Sequence, residues 1–143
     1  MILETTHYNK DHKKTIDSMV GSSFSFMERL KMGGIGSKRM IINEVSPNMK
    51  SFLNSVSDIN YGNIELRPYG ILVAITKGLR NFTWIVPYYQ FYMYNVNGIS
   101  IHAQGRFVHF KDSKMFKENH SFFEKLKKLK IAYDIEHPHI DSI

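Results

Sequence analysis

Between residues 63 and 111 the apolar pattern repeats every second position, and it is cut into six short runs at 64–67, 71–76, 82–86, 90–95, 99–103 and 106–110. The runs are rich in β-branched and aromatic residues. They are separated by Pro68-Tyr69-Gly70, Lys77-Gly78-Leu79-Arg80, Pro87, Asn97-Gly98 and Gln104-Gly105, which reverse a chain more readily than they continue a strand. Six short strands in under fifty residues imply an antiparallel meander. Within it, Phe82, Trp84 and Val86 alternate with Asn81 and Thr83, and Ile99, Ile101 and Ala103 alternate with Ser100, His102 and Gln104, so each strand should bury one face. Asn97-Gly98 is the strongest turn signal, because a two-residue type I′ hairpin needs positive φ at both central positions.

Helical spacing frames this region on both sides. Residues 1–14 are polar, with Lys10, Asp11, His12, Lys13 and Lys14 together, and read as a frayed terminus. Over 15–32, Ile16, Met19, Val20, Phe26, Met27 and Leu30 fall near a helical stripe that Gly21 and the nearby serines weaken or interrupt. Gly33-Gly34-Ile35-Gly36 ends that helix. Residues 40–45 suit an edge strand. Ser46 as N-cap and Pro47 at the first helical position open a second helix carrying Met49, Phe52, Leu53 and Val56 on one face and stopping near Asp58. The last helix is the clearest: Phe122, Phe123, Leu126, Leu129 and Tyr133 form its stripe, lysines cover the rest, and Asn119 or Ser121 caps it. The expected organisation is a flexible stretch at 1–14, one α+β domain at 15–133 and a polar tail at 134–143. Within the domain, 15–62 is mainly helical and 63–133 holds five to seven strands and the closing helix.

Composition narrows the chemistry. The chain has 143 residues, 43% of them apolar and 22% charged, enough for one core without disulfides or a structural metal. It contains no cysteine, which removes thiol nucleophiles, disulfide frameworks and zinc sites that need sulfur ligands. No cofactor is called for. The net charge of +6 favours phosphates, anionic lipid or acidic partners. The opening residues lack a positive segment followed by an apolar one, so they do not read as a secretory signal. The uncharged stretch over 81–102 is broken by Pro87, Gln90, several Asn and Gly98 and does not read as a membrane span. A cytoplasmic location is therefore expected.

A meander followed by one amphipathic helix suggests a curved sheet or partly open barrel with the helix filling one end. In that order, in the run 71–76, in Trp84-Ile85-Val86-Pro87-Tyr88-Tyr89-Gln90-Phe91 and in the final helix, the chain resembles bacterial pleckstrin-homology-like domains. The resemblance covers residues 63–130, about half the chain. It departs from that family in its long N-terminal extension and in lacking a Thr-x-x-Arg signature after the early strand. It implies a non-catalytic binding or assembly module, with ligands that vary across the family.

Several groups of residues suggest chemistry, each beside a plainer explanation. Lys77 and Arg80 flank Gly78 and Leu79 on a hairpin tip, a combination that presses on an anionic head group while leucine enters the interface; an ordinary solvated turn has the same composition. Gly33-Gly34-Ile35-Gly36-Ser37-Lys38-Arg39 offers a backbone nest with Lys38 and Arg39 beside it for a phosphate, or a simple connector. It is not a P-loop, because the spacing fails. His102 and His109, near Gln104 and Arg106, share a sheet face by alternation and make a candidate acid–base or polar site, though no carboxylate adjoins them. His137 and His139 with Asp134, Glu136 and Asp141 have ligand chemistry without a rigid frame, so no metal site is expected. Tyr88, Tyr92 and Tyr94 alternate with Tyr89, Phe91 and Met93, loading both faces of one strand; the chain's own helices, a second subunit in a homodimer or a ligand must cover the second face. The lysines of 125–130 read as a solvated helix face without interleaved stacking aromatics, so nucleic acid is not an expected partner. Three functions follow in order: an interaction module with a protein partner, a binder of anionic membrane surfaces, and an enzyme using the histidine pair.

Overall fold

All six runs are strands, but the antiparallel sheet that contains them has eight. The computed structural model describes residues 1–54 and 59–138. The runs become β3 (Asn60–Arg67), β4 (Gly70–Lys77), β5 (Arg80–Pro87), β6 (Phe91–Tyr94), β7 (Gly98–Ala103) and β8 (Arg106–Lys111). The additions are β1 (Ile2–Glu4) and β2 (Met40–Val45), and the sheet order is β1-β5-β4-β3-β2-β8-β7-β6. β2 is therefore an interior strand and not an edge. It pairs with β3 on one side and β8 on the other, joining two meanders, and buries Met40, Ile42 and Val45.

The opening segment is ordered where fraying was expected. Ile2 and Leu3 pair with Trp84 and Thr83, and helix α1 (Lys10–Val20) begins inside the lysine-rich stretch. Asn9 caps it by accepting from the His12 amide at 2.9 Å. Lys10, Lys13 and Lys14 are its solvent side, and only Ile16 and Val20 are buried, so the apolar period is too sparse to read before position 15. Gly21, at φ 85°, ends α1. A separate short helix, α2 (Phe26–Met32), starts from a Ser25/Glu28 capping box and stops at left-handed Gly33. Phe26, Met27 and Leu30, assigned to one buried stripe with Ile16, are exposed; the break at 21–25 puts them on a separate short helix, of which Met32 packs against the core. The helix expected from Ser46 is a six-residue 3-10 segment, Pro47–Phe52. Ser46 does not cap it: its hydroxyl donates to Asn48 Oδ1 at 2.6 Å and accepts from the Phe107 amide at 3.0 Å. Val56 and Asp58 lie outside the described residues.

Turn chemistry also differs from expectation. Tyr94 stands opposite Ser100, so the chain around Asn97-Gly98 is a longer loop than a two-residue hairpin. The tight turn is Gln104-Gly105, at φ 57° and 71°, between the paired residues Ala103 and Arg106. Gly98 is still required, because a Cβ there would sit 2.0 Å from the Phe110 carbonyl oxygen. A 3-10 turn at Tyr88–Gln90 breaks the alternation before β6. Consequently Tyr88 joins Phe91 in the core, while Tyr92 and Tyr94 face outward; the expectation that Tyr88, Tyr92 and Tyr94 share a side is wrong.

The sheet curls around a core that includes Ile64, Val73, Trp84, Ile101, Val108 and Phe110. Helix α3 (Lys114–Lys117) leads into α4 (His120–Glu136), which delivers Phe122, Phe123 and Leu126 to that core. α4 extends through Glu136, three residues into the expected tail. Asn119 precedes it without making a cap bond; its buried amide instead accepts from the Lys38 backbone N–H at 2.8 Å and donates to the Met115 carbonyl at 2.9 Å. On the opposite face of the sheet, Ile16 and Val20 of α1 pack on Leu72 and Ile85. Burying each such side chain contributes about 1.5–3 kcal/mol. Arg67 fastens this layer: buried itself, it reaches Glu65 at 2.7 Å and Asp17 of α1 at 3.1 Å, and donates to the Gly21 carbonyl at 3.1 Å. The α1 layer lies so close that a Cβ on Gly70 would fall 2.5 Å from Val20.

Candidate functional site

The outer face of β8, β7 and β6 carries the most chemistry left uncovered. Register sets Tyr92 opposite His102 and His102 opposite Phe107; one step along, Tyr94 is opposite Ser100 and Ser100 opposite His109. Tyr92 and Tyr94 are 62% and 55% exposed. The His102 ring stacks on Phe107 with centroids 5.1 Å apart and meets the Tyr94 ring edge-on at 4.9 Å. Burial among these rings, and secondarily the proximity of His109, hold the His102 pKa below the usual histidine range. The face is thus an aromatic ladder with an imidazole within it whose charged form is disfavoured.

The two histidines share the face as their alternation implies, yet the structure gives them separate roles. A register shift in β2 between Ile42 and Glu44 aims Asn43 at His109, whose Nδ1 pairs with Asn43 Oδ1 while Nε2 pairs with the Val96 carbonyl at 3.1 Å. A carbonyl can only accept, so Nε2 carries hydrogen, and both ring nitrogens serve the β6–β7 loop and the bulge. A shallow cavity of about 330 Å³ lies beside His102, Gln104, Arg106, Tyr92 and Gln90, and His109 does not line it. Gln104 accepts from the Trp84 indole at 3.1 Å and donates to Gln90 Oε1 at 2.8 Å and the Ile85 carbonyl at 3.0 Å. Arg106 donates to the Asn48 carbonyl at 2.6 Å. These two residues tie the β7–β8 turn to β5 and to the 3-10 segment.

The basic candidates are similarly engaged. At the β4–β5 tip Leu79 is 95% exposed, but the Lys77 ammonium donates to the Ser51 carbonyl at 2.9 Å, and Arg80 makes two bonds to Glu4 at 2.9 and 3.1 Å. Glu4, an N-terminal residue, offsets the guanidinium, and the Arg80 bond holds the Glu4 carboxyl below its usual range. In the glycine-rich connector the Gly33 and Gly34 amides are taken up inside the chain, donating to the Leu30 and Arg29 carbonyls as a helix stop, as suits a connector better than a nest. The two glycine carbonyls instead accept from Lys125 at 3.3 and 3.0 Å, so this loop presents oxygens where an anion needs N–H groups. The Lys38 amide is bound to Asn119, and Arg39 lies over the Tyr61 ring at 4.3 Å.

No group of three or more metal-ligating side chains occurs among the described residues. His139 and Asp141 lie outside them, and His137 stacks on Tyr133 with centroids 4.1 Å apart. No helix among the described residues is long and apolar enough to cross a membrane.

One further surface escapes a reading of the sequence. Among the described residues β6 ends the sheet and pairs only with β7. Between it and α4 runs a groove of about 390 Å³ lined by Phe91, Tyr92, Met93, Lys127, Lys130 and Ile131. Ile131 and Ile135, one turn apart, are 58% and 74% exposed beside it. Their spacing from each other, off the main stripe of α4, is the available signal; that they border a sheet edge is visible only in three dimensions. Comparison with known proteins finds no match to a family model, to a curated protein or to a solved structure.

Proposed function

We propose that this chain is a non-catalytic interaction module that receives a protein partner on the outer face of β8, β7 and β6. The observation carrying this reading is the exposure of Tyr92 and Tyr94 on a rigid strand, in register with the His102–Phe107 stack. Exposed tyrosines on a fixed backbone supply contact area at small entropic cost and retain a hydroxyl for hydrogen bonding. The commitment of both His109 nitrogens to structural carbonyl oxygens favours recognition over proton transfer. A pleckstrin-homology-like architecture is part of the proposal. Its support is the curved run from β2 to β8, in which the first strand returns to pair with the last and the C-terminal helix fills the concave side.

The test is affinity capture with the intact chain beside the Tyr92→Ser/Tyr94→Ser double variant, together with vesicle pelleting. A protein retained by the parent and released by the double variant supports the reading. Equal retention by both overturns it. Pelleting that rises with anionic lipid at low salt and falls in Lys77→Gln/Arg80→Gln would move the function to the hairpin tip.

A further inference from the structure

The two edges of the sheet are built differently. β1 is three residues long and carries Glu4, held by Arg80. β6 reads Phe91-Tyr92-Met93-Tyr94, with no charge and no proline, and so lacks the usual devices that keep an edge from pairing. Exposed apolar side chains also gather there: Tyr92 and Tyr94 on the strand, Val96 just after it, and Ile131 and Ile135 on α4.

The hydrogen-bond phase of β6 follows from its neighbours. The tight turn makes Ala103 and Arg106 a bonded pair, and the Asp112 amide donates to the Asn97 carbonyl at 3.2 Å, in the same phase at the other end. Odd-numbered residues of β7 therefore face β8, and Ser100 and His102 face β6. Their partners Tyr94 and Tyr92 bond inward to β7. Both backbone groups of Met93 and the carbonyl of Phe91 point away from the sheet, while the Phe91 amide is already bonded to the Tyr88 carbonyl.

We propose that two copies of this chain associate by antiparallel pairing of β6 with β6 about a two-fold axis at Met93. The local sequence is symmetric there, tyrosine on each side of the methionine. Pairing about that point joins Met93 to Met93 through two backbone bonds and offers the Phe91 carbonyl to the partner's Asn95 amide. Tyr92 then lies opposite Tyr94 of the partner, twice, as cross-strand aromatic pairs. α4 is self-complementary in the same sense: Lys127, Lys128 and Lys130 precede Ile131, while Asp134 and Glu136 follow it. A two-fold axis near Ile131 sets the basic half of one helix against the acidic end of the other around an isoleucine seam, with each copy's Lys130–Asp134 pair at 2.9 Å beside it. The occupant is therefore a second copy, an isologous contact that closes on itself. This inference goes beyond the partner-binding reading: dimerisation is read from mass and capture from retention, so either can fail while the other stands.

The test combines solution mass with a cross-link made specific by the absence of cysteine. Sedimentation equilibrium of the parent should give twice the 16.7 kDa chain mass, and Tyr92→Lys/Tyr94→Lys should return one chain mass with an unchanged circular dichroism spectrum, showing that the chain is still folded. In the proposed register residue 92 faces residue 94 of the partner, at a separation suited to a disulfide. The double variant Tyr92→Cys/Tyr94→Cys should then oxidise to a covalent dimer, while each single variant, facing tyrosine, should not. A parent that stays at one chain mass at its highest soluble concentration overturns the proposal. So does a dimer that survives the lysine pair, or cross-linking by a single variant equal to that of the double.

Discussion

The outer face of one sheet is treated in two ways. Over β4 and β5 it is apolar and covered: Leu72 and Ile85 lie under Ile16 and Val20 of α1, with Arg67 pinning the helix through Asp17. Over β6, β7 and β8 it is aromatic and bare, with Tyr92 and Tyr94 standing in solvent. Both halves obey the same alternation of side chains, so strand pattern alone does not decide which is core. The deciding factor is whether the chain supplies a helix to lie on the face. A covered half adds stability, and a bare half is free to act on other molecules.

This contrast can be broken from the covered side first. Val20→Asp places an unpaired carboxylate where no water reaches and should lower unfolding stability by about 4 kcal/mol, measured by urea denaturation. Arg67→Ala leaves Asp17 without its buried partner and frees the Gly21 carbonyl, with an expected loss of about 3 kcal/mol in the same assay. The bare half should behave oppositely: compared at protein concentrations low enough that the parent is a single chain, Tyr92→Ser/Tyr94→Ser is expected to stay within about 0.5 kcal/mol of it. A large loss there would mean that these rings act as core.

The smallest expected effect is a pH dependence. His102 has its folded-state pKa lowered by burial and by His109, so the native state binds a proton less readily than the unfolded chain. Above the unfolded pKa of about 6.5 neither state is protonated and the residue contributes nothing. As pH falls below that value the unfolded state takes up the proton first, and stability declines. A denaturant midpoint followed from pH 7 to pH 5 should therefore drop, and the drop should shrink in His102→Gln. The lowered carboxyls of Glu4, Asp17 and Glu28 have the same sign of dependence in a lower window: their contribution is present above their unfolded values and is lost only at more acid pH, which separates them from His102.

Much of the meander is legible in the sequence because its signals are local. The runs ending at Arg67, Thr76, Val86, Ala103 and Phe110 stop at residues whose backbone preferences enforce a stop, and the stripe from Phe122 to Tyr133 needs only its own spacing. What escaped depends on distant partners. Ile2–Glu4 is a strand because Phe82–Trp84 lies beside it, and Met40–Val45 is interior because β8 returns to it. The Asn97-Gly98 signal is right about the backbone, since both residues have positive φ, but not about loop length; the two-residue turn with positive φ at both positions is Gln104-Gly105, whose first residue is seldom chosen for that conformation. For the site, alternation placed His102 and His109 on one face. It had no means of showing that Asn43 and Val96 occupy both nitrogens of His109, or that Glu4 meets Arg80.

The position of α1 at the front of the chain also constrains how the molecule is made. During synthesis its apolar side emerges long before β4 and β5, and β2 must wait for β8 to be completed. A nascent chain therefore carries an unsheltered greasy helix and an incompletely paired strand until those later strands have been made. Folding of this protein should be slow and late, closing from the C-terminal half backwards, and sensitive to whatever shields those surfaces on the ribosome.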